Sequence, residues 1–220
     1  MKQQLRQQTT ITSPFRINTD LQSCKSLIDY HYQVEVWKRH KDFVRTAKYD
    51  KMITEFCQNI TSTDMSTFGI VLFGLYGNGK TTLLNAFDEA VRHLDKNYNA
   101  FSDDMAVTHK RYDPIVMDAK TLARQCAKDE DTYIKTIDSN ILCVDDVGTE
   151  PREVLVYGTP YAPVADMLEY RYSKQLFTIV TTNLKPAEFF DKYGGRVKDR
   201  LPDMMTRIVS ENESYRAKWL

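Results

Sequence analysis

Apolar residues in this chain keep two rhythms, and the rhythms alternate. Met52, Ile53, Phe56 and Cys57 recur at helical spacing, which predicts a helix from Tyr49 to Ile60. After the polar connection Thr61-Ser-Thr-Asp64, the run Phe68-Gly-Ile-Val-Leu-Phe73 is continuously apolar and reads as a buried strand. Leu83, Leu84, Phe87, Val91 and Leu94 then share one face of a helix starting near Lys80. The alternation continues with a strand at Pro114–Asp118, a helix from Ala119 to about Lys135 and a strand at Asn140–Asp145. A helix at Ala162–Lys174, a strand at Phe177–Thr182 and a helix at Pro186–Tyr193 follow. A short helix from Arg196 to about Met205 and a last strand at Arg207–Ser210 complete the series. Strands alternating with helices predict an α/β domain whose parallel sheet is covered on both faces.

The first quarter is less regular. Residues 1 to about 16 are rich in Gln and Thr, with Pro14 breaking any regular element, so a disordered or partner-binding tail is expected. From Leu21 to about Lys48 the apolar positions suit two short helices, although the Val34-Glu35-Val36 alternation also suits a strand. Its aromatic residues Tyr30, Tyr32, Trp37 and Phe43, with the patch Trp37-Lys-Arg-His-Lys41, fit either packing on the core or engaging a partner. The expected organisation is an N-terminal segment over 1–48 and a larger domain over 49–220.

Chemistry enters at Gly74-Leu-Tyr-Gly77-Asn78-Gly79-Lys80-Thr81-Thr82, which fits the phosphate-binding pattern G-x-x-x-x-G-K-[ST] between a strand and a helix. The glycines let the backbone curl so that its N–H groups face phosphate oxygens. The helix N-terminus adds roughly half a positive charge at the same place. Lys80 is placed to reach the β- and γ-phosphates of ATP, and the Thr81 hydroxyl to help hold Mg²⁺. About 65 residues on, Ile141-Leu-Cys-Val-Asp145-Asp146 is an apolar strand ending in two carboxylates. Ligands of open α/β sheets bind at the carboxyl ends of strands, so both acids are expected to face the triphosphate. Asp145 then serves the Mg²⁺ shell through water, and Asp146 orients or deprotonates the attacking water. Asn183 ends the next strand, where an amide can hydrogen-bond that water or the γ-phosphate.

The order GLYGNGKTT, ILCVDDVGTE, TIVTTNL, GGRVKDRL and SYR resembles the AAA+ ATPases of the DnaC/IstB-like group, bacterial helicase loaders and transposition helpers, over roughly residues 50 to 220. The resemblance implies a five-stranded parallel core of strand order 5-1-4-3-2, with little or no separate lid. It implies that Asn183 is the sensor 1 residue and that Arg200 is an arginine finger acting on ATP of the adjacent subunit of a homo-oligomer. It likewise implies that Arg216 is the sensor 2 residue of its own subunit. Two positions depart from the group's pattern. Asp146 stands where many members carry Glu, which leaves Glu150 as an alternative for the attacking water. Pro202, directly after the finger motif, is expected to end the helix early and move Arg200.

The implied activity is ATP hydrolysis in a helicase loader that contacts the replicative helicase and single-stranded DNA. A transposition helper acting on duplex DNA shares the motifs, and a nucleotide-gated assembly module with negligible turnover fits as well. A DNA-facing surface is sought at Lys110, Arg111, Lys120 and Arg124. Thirty basic residues balance thirty acidic ones, so any nucleic-acid contact comes from a local patch. Cys24, Cys57, Cys126 and Cys143 form no C-x-x-C pair, which argues against a zinc site or a disulfide framework. The polar N-terminus lacks a secretory apolar core, and no apolar run approaches the ~20 residues that span a bilayer. A cytoplasmic protein is expected.

Overall fold

A computed structural model describes residues 15–64, 66–101 and 112–215, with backbone alone for 96–101. The chain enters through helix α1 (Leu21–Trp37) and helix α2 (Ala47–Thr61) before reaching strand β1 (Gly69–Gly74). Helix α3 (Lys80–Phe101), strand β2 (Ile115–Asp118), helices α4 (Ala119–Lys128) and α5 (Glu130–Ile137), and strand β3 (Ile141–Val147) follow. A hairpin of β4 (Val154–Val156) and β5 (Thr159–Tyr161) precedes helix α6 (Pro163–Lys174) and strand β6 (Phe177–Thr182). Helices α7 (Pro186–Tyr193) and α8 (Gly195–Met204) lead to strand β7 (Thr206–Ser210).

Five strands form one parallel sheet in the order β7-β1-β6-β3-β2, which is 5-1-4-3-2 when the strands of this sheet are counted alone. Side chains alternate across it as strand geometry requires. Ile70 and Leu72 of β1 join α1, α2 and α3 in one apolar layer, while Val71 and Phe73 join α4 to α8 in the other. The central strands β1, β3 and β6 are therefore buried on both faces, while the edge strands β2 and β7 are partly exposed.

Several local expectations change. Residues 21–37 form one long helix, because Asp20 caps it by accepting from the Ser23 N–H at 2.9 Å and Cys24, Ile28 and Tyr32 bury one stripe. The following stretch to Thr46 is a turn and an extended segment rather than a second helix. The helix expected from Ala119 to Lys135 is two helices, since Asp129 leaves helical geometry to cap α5 through Thr132 N–H and hydroxyl. Pro202 does not end α8, which runs on to Met204 with Leu201 and Met204 buried beneath it. Burial of that last turn outweighs the hydrogen bond proline removes. The hairpin has no counterpart in the sequence reading. The expected N-terminal tail lies almost wholly outside the described residues.

Arg171 ties α6 to the sheet. Its side chain is fully buried and donates to the Thr178 hydroxyl and to the carbonyls of Ile137, Ser139 and Phe177, at 2.6–2.8 Å. Burial lowers its pKa from the usual arginine value. Arg171→Leu strands these carbonyls and is expected to cost about 3 kcal/mol or more, read as a lower urea midpoint. His31 of α1 is buried against His93 of α3, its Nε2 without a hydrogen-bond partner. Burial is the main cause that lowers its pKa; His93 and Lys38 push the same way, while Glu89 and Glu35 oppose. The unfolded chain therefore takes up that proton first, and stability is expected to fall as pH drops below about 6.5. Thermal melts of wild type and His31→Gln across that range check this, the variant showing the flatter dependence.

Candidate functional site

The carboxyl ends of β1, β3 and β6 meet the N-terminus of α3 beneath the glycine loop. Gly77 and Gly79 adopt φ of 78° and 94°, conformations that favour glycine. Gly79 has a second reason to lack a side chain, since an added Cβ would stand 2.1 Å from the hydroxyl of Tyr32 on α1. Asn78 is buried; its side chain donates to the Ser210 carbonyl at 2.9 Å, and the Ser210 hydroxyl returns a bond to the Asn78 carbonyl. The loop is thus fastened to β7. The Tyr215 N–H fastens it further, donating to the Gly77 carbonyl at 2.9 Å.

Lys80 is buried, with Nζ donating to the carbonyls of Gly74 and Leu75 and to the side-chain oxygens of Asn78 and Asn183, at 2.8–3.1 Å. Asn183 is shared: while its oxygen accepts from Lys80, its amide donates to Asp146 at 2.9 Å. The Thr81 hydroxyl donates to one oxygen of Asp145 at 2.7 Å, and the Thr181 hydroxyl donates to the other. Gly74, Gly77, Asn78, Gly79, Lys80, Thr81, Thr82, Asp145, Asp146 and Asn183 therefore fall in one neighbourhood.

Consecutive strand residues normally face opposite sides, yet Asp145 and Asp146 both reach this edge. The pairing of β3 with β6 shifts register between Val144 and Val147, and Asp146 adopts φ 52°. This bulge and the left-handed turn re-aim the second carboxylate toward the loop. Aspartate tolerates that backbone better than most residues.

Glu150, the alternative to Asp146, is directed elsewhere. Its two oxygens accept from the Gly148 N–H at 2.8 Å and the Tyr193 hydroxyl at 2.6 Å, and Lys192 lies 3.1 Å away. Burial, followed by this carboxylate, pushes the Tyr193 phenol upward. Glu150 is a fastener between the turn after β3 and α7. Arg200 lies on α8, where it donates to Glu169 at 3.2 Å and stands 5.3 Å from the Tyr172 ring. It does not line the cavity at the loop of its own chain. Lys120 and Arg124 are exposed on α4, whereas Arg216, Lys110 and Arg111 lie outside the described residues.

The cavity at this site has a volume of about 480 Å³, and much of its wall comes from the N-terminal segment. Tyr32 and Val36 of α1, with Arg39, Lys41, Asp42, Phe43 and Val44 after it, line the cavity together with the loop and the strand ends. His40, at φ 55°, reverses the chain there, and Phe43 wedges between Tyr32 and Tyr49 with ring centroids 6.0 and 5.0 Å away. For Tyr32, Phe43 and the patch Trp37–Lys41 the sequence leaves two readings open, packing on the core or engaging a partner. Trp37 is 57% exposed and outside the cavity, whereas Arg39, also exposed, lines it and reaches Thr82.

An oxygen set of Thr81 hydroxyl and Asp145 carboxylate suits a hard cation such as Mg²⁺, which accepts one or two carboxylates beside phosphate and water. Among the described residues no cluster of three or more His, Cys, Asp or Glu forms a protein-only metal cage. No described helix is long and apolar enough to cross a membrane.

No family model matches the chain, and no curated protein matches it. Solved structures do. A crystal structure of the DnaC helicase loader aligns at TM-score 0.53 and 19% identity, covering 77% of this chain and 94% of that one. A putative primosome component from Streptococcus pyogenes serotype M3 aligns at TM-score 0.56 and 18% identity, covering 79% and 85%. AMPPCP-bound DnaA from Aquifex aeolicus aligns at TM-score 0.50 and 18% identity, covering 77% of this chain and 48% of that one. At such identities the likeness is one of fold, and the fold is that of AAA+ P-loop proteins.

The backbone at Asp146 gives a direct test. Asp146→Asn keeps a side chain that tolerates the left-handed conformation, whereas a β-branched residue does not. Asp146→Val is expected to be less stable than Asp146→Asn by about 1–2 kcal/mol in denaturant titration.

Proposed function

We propose that this chain is an ATP-hydrolysing AAA+ protein of DNA replication, acting in the cytoplasm as a helicase loader. The observation that carries the reading is the bond pattern around Asn183, which joins the loop lysine to the strand-end carboxylate Asp146. A triphosphate seated on the loop would meet Lys80 and Asn183 first. The structural likeness to a DnaC helicase loader and a primosome component supports the replication assignment, and the likeness to AMPPCP-bound DnaA supports nucleotide binding.

In this mechanism the loop N–H groups and Lys80 hold the β- and γ-phosphates. Mg²⁺, held by Thr81 and through water by Asp145, would neutralise charge on the phosphates. Asp146 accepts the proton of the attacking water, and Asn183 fixes where that water stands. Arg216 contacts the γ-phosphate in its own subunit. Arg200 stabilises the transferring phosphoryl group in the neighbouring subunit; its absence from its own cavity supports a role across a boundary. The partners are further copies of this chain, a replicative helicase and single-stranded DNA. The segment over 1–48, with Tyr30 and Trp37 exposed on α1, is the proposed helicase-facing part.

Turnover of wild type, Lys80→Ala, Arg200→Ala and a mixture of the two variants tests this. Single-stranded DNA is expected to stimulate wild type, and Arg200→Ala to lose ~10³-fold or more in rate while still binding nucleotide. The mixture is expected to regain part of the activity, because one variant keeps a sound finger and the other a sound loop. Stimulation by duplex alone would point to a transposition helper. Wild-type turnover by Arg200→Ala would remove the shared-site mechanism.

A further inference from the structure

Arg39 stands where electrostatics alone would not put a cation. Its Nη1 donates to the Thr82 hydroxyl at 2.5 Å, in the first turn of α3. That turn is the positive end of the helix, and Lys80 is part of it. Two neighbouring cations have carboxylate partners, Lys38 with Glu35 and Glu89 and Arg45 with Asp29 and Asp50, whereas Lys41, which lines the same cavity, donates to the Tyr215 carbonyl. Among the described residues no carboxylate forms an ion pair with Arg39. Asp42 lines the same cavity without pairing with it. A guanidinium has five N–H donors arranged to grip an anion in two places, and Thr82 takes one. Two cations at one helix N-terminus suit an anion of more than one charge seated between them.

The cavity gives that anion an orientation. Asp146 and Asn183 stand on its strand side, whereas Val36 and Phe43 stand with Arg39 on the α1 side. A nucleotide whose terminal phosphate meets Lys80 and Asn183 extends its nucleoside toward the apolar wall. Arg39 then lies beside the phosphate nearest the ribose. We propose that Arg39 is a phosphate-contacting residue acting on the nucleotide of its own subunit, and that occupancy thereby fixes the end of α1 and the Lys41–Thr46 segment. The inference rests on the nucleotide-binding reading above and deepens it. It also gives the exposed face around Trp37, two residues from Arg39, a direct connection to the state of the site.

Equilibrium binding of ADP and AMPPCP to the full chain, with hydrogen exchange over residues 36–46, tests it. Arg39→Ala is expected to weaken both ligands alike by roughly tenfold or more, because a charge-assisted contact near the ribose serves both. Lys80→Ala is expected to weaken AMPPCP more than ADP, since Lys80 reaches the terminal phosphate. ADP should slow exchange over 36–46 in wild type and not in Arg39→Ala. Arg39→Lys, which keeps the charge without the fork, should fall between wild type and Arg39→Ala and guards against a folding defect. Affinities of Arg39→Ala within twofold of wild type would overturn the inference while leaving the nucleotide reading intact. Unchanged wild-type exchange on adding ADP would overturn it equally. Failure of wild type to bind either ligand would remove the nucleotide reading and this inference with it.

Discussion

A buried ammonium must be surrounded by oxygen atoms, and that need of Lys80 organises the functional edge of the sheet. Its bonds reach the end of β1 through Gly74, the loop through Leu75 and Asn78, and the end of β6 through Asn183. Asn78 carries the connection on to β7 through Ser210, and Asn183 carries it to β3 through Asp146. Four of the five strands are thereby held in one polar network at one edge. The faces of β1, β3 and β6 are packed on both sides, so the ends of these strands are where charge can be placed without loss of core.

The N-terminal segment completes the site rather than sitting beside it. Tyr32 shares the apolar layer beneath the sheet with Phe87 and Ile179, yet its hydroxyl meets Gly79 of the loop. Burial pushes the pKa of that phenol upward. The aromatic wedge of Phe43 and the ion pairs of Arg45 with Asp29 and Asp50 then hold the extended segment across the cavity mouth. A single helix thus has one face in the core, its C-terminal end at the cavity beside the glycine loop, and an exposed tryptophan as its last residue.

Legibility in the sequence followed the range of the interaction. Strand β6 and the helices at Pro163 and Pro186 are local events, set by β-branched runs and by prolines suited to a first helical turn, and they emerge close to where the pattern puts them. The hairpin was invisible because each of its strands has three residues, too few for a period, and its turn uses Tyr157 at φ 49° where glycine or asparagine is usual. The break at Asp129 was legible in principle, since an acid three residues before Thr132 is a helix cap, but the surrounding apolar spacing is compatible with an unbroken helix.

By itself the sequence determined the alternating α/β architecture and the chemical inventory of the site, because both depend on residue types at short spacing. Gly74 to Thr82, the paired aspartates and Asn183 are recognisable without knowing what they touch. The tertiary structure alone decided which of two adjacent acids faces which partner, that Glu150 is spent on Tyr193 and Gly148, and that Arg39 enters the cavity while Trp37 stays outside. These outcomes depend on a bulge, a left-handed residue and helices meeting across more than forty positions of sequence. Periodicity carries no information about such contacts, since they are settled by packing and hydrogen-bond satisfaction once the layers have come together.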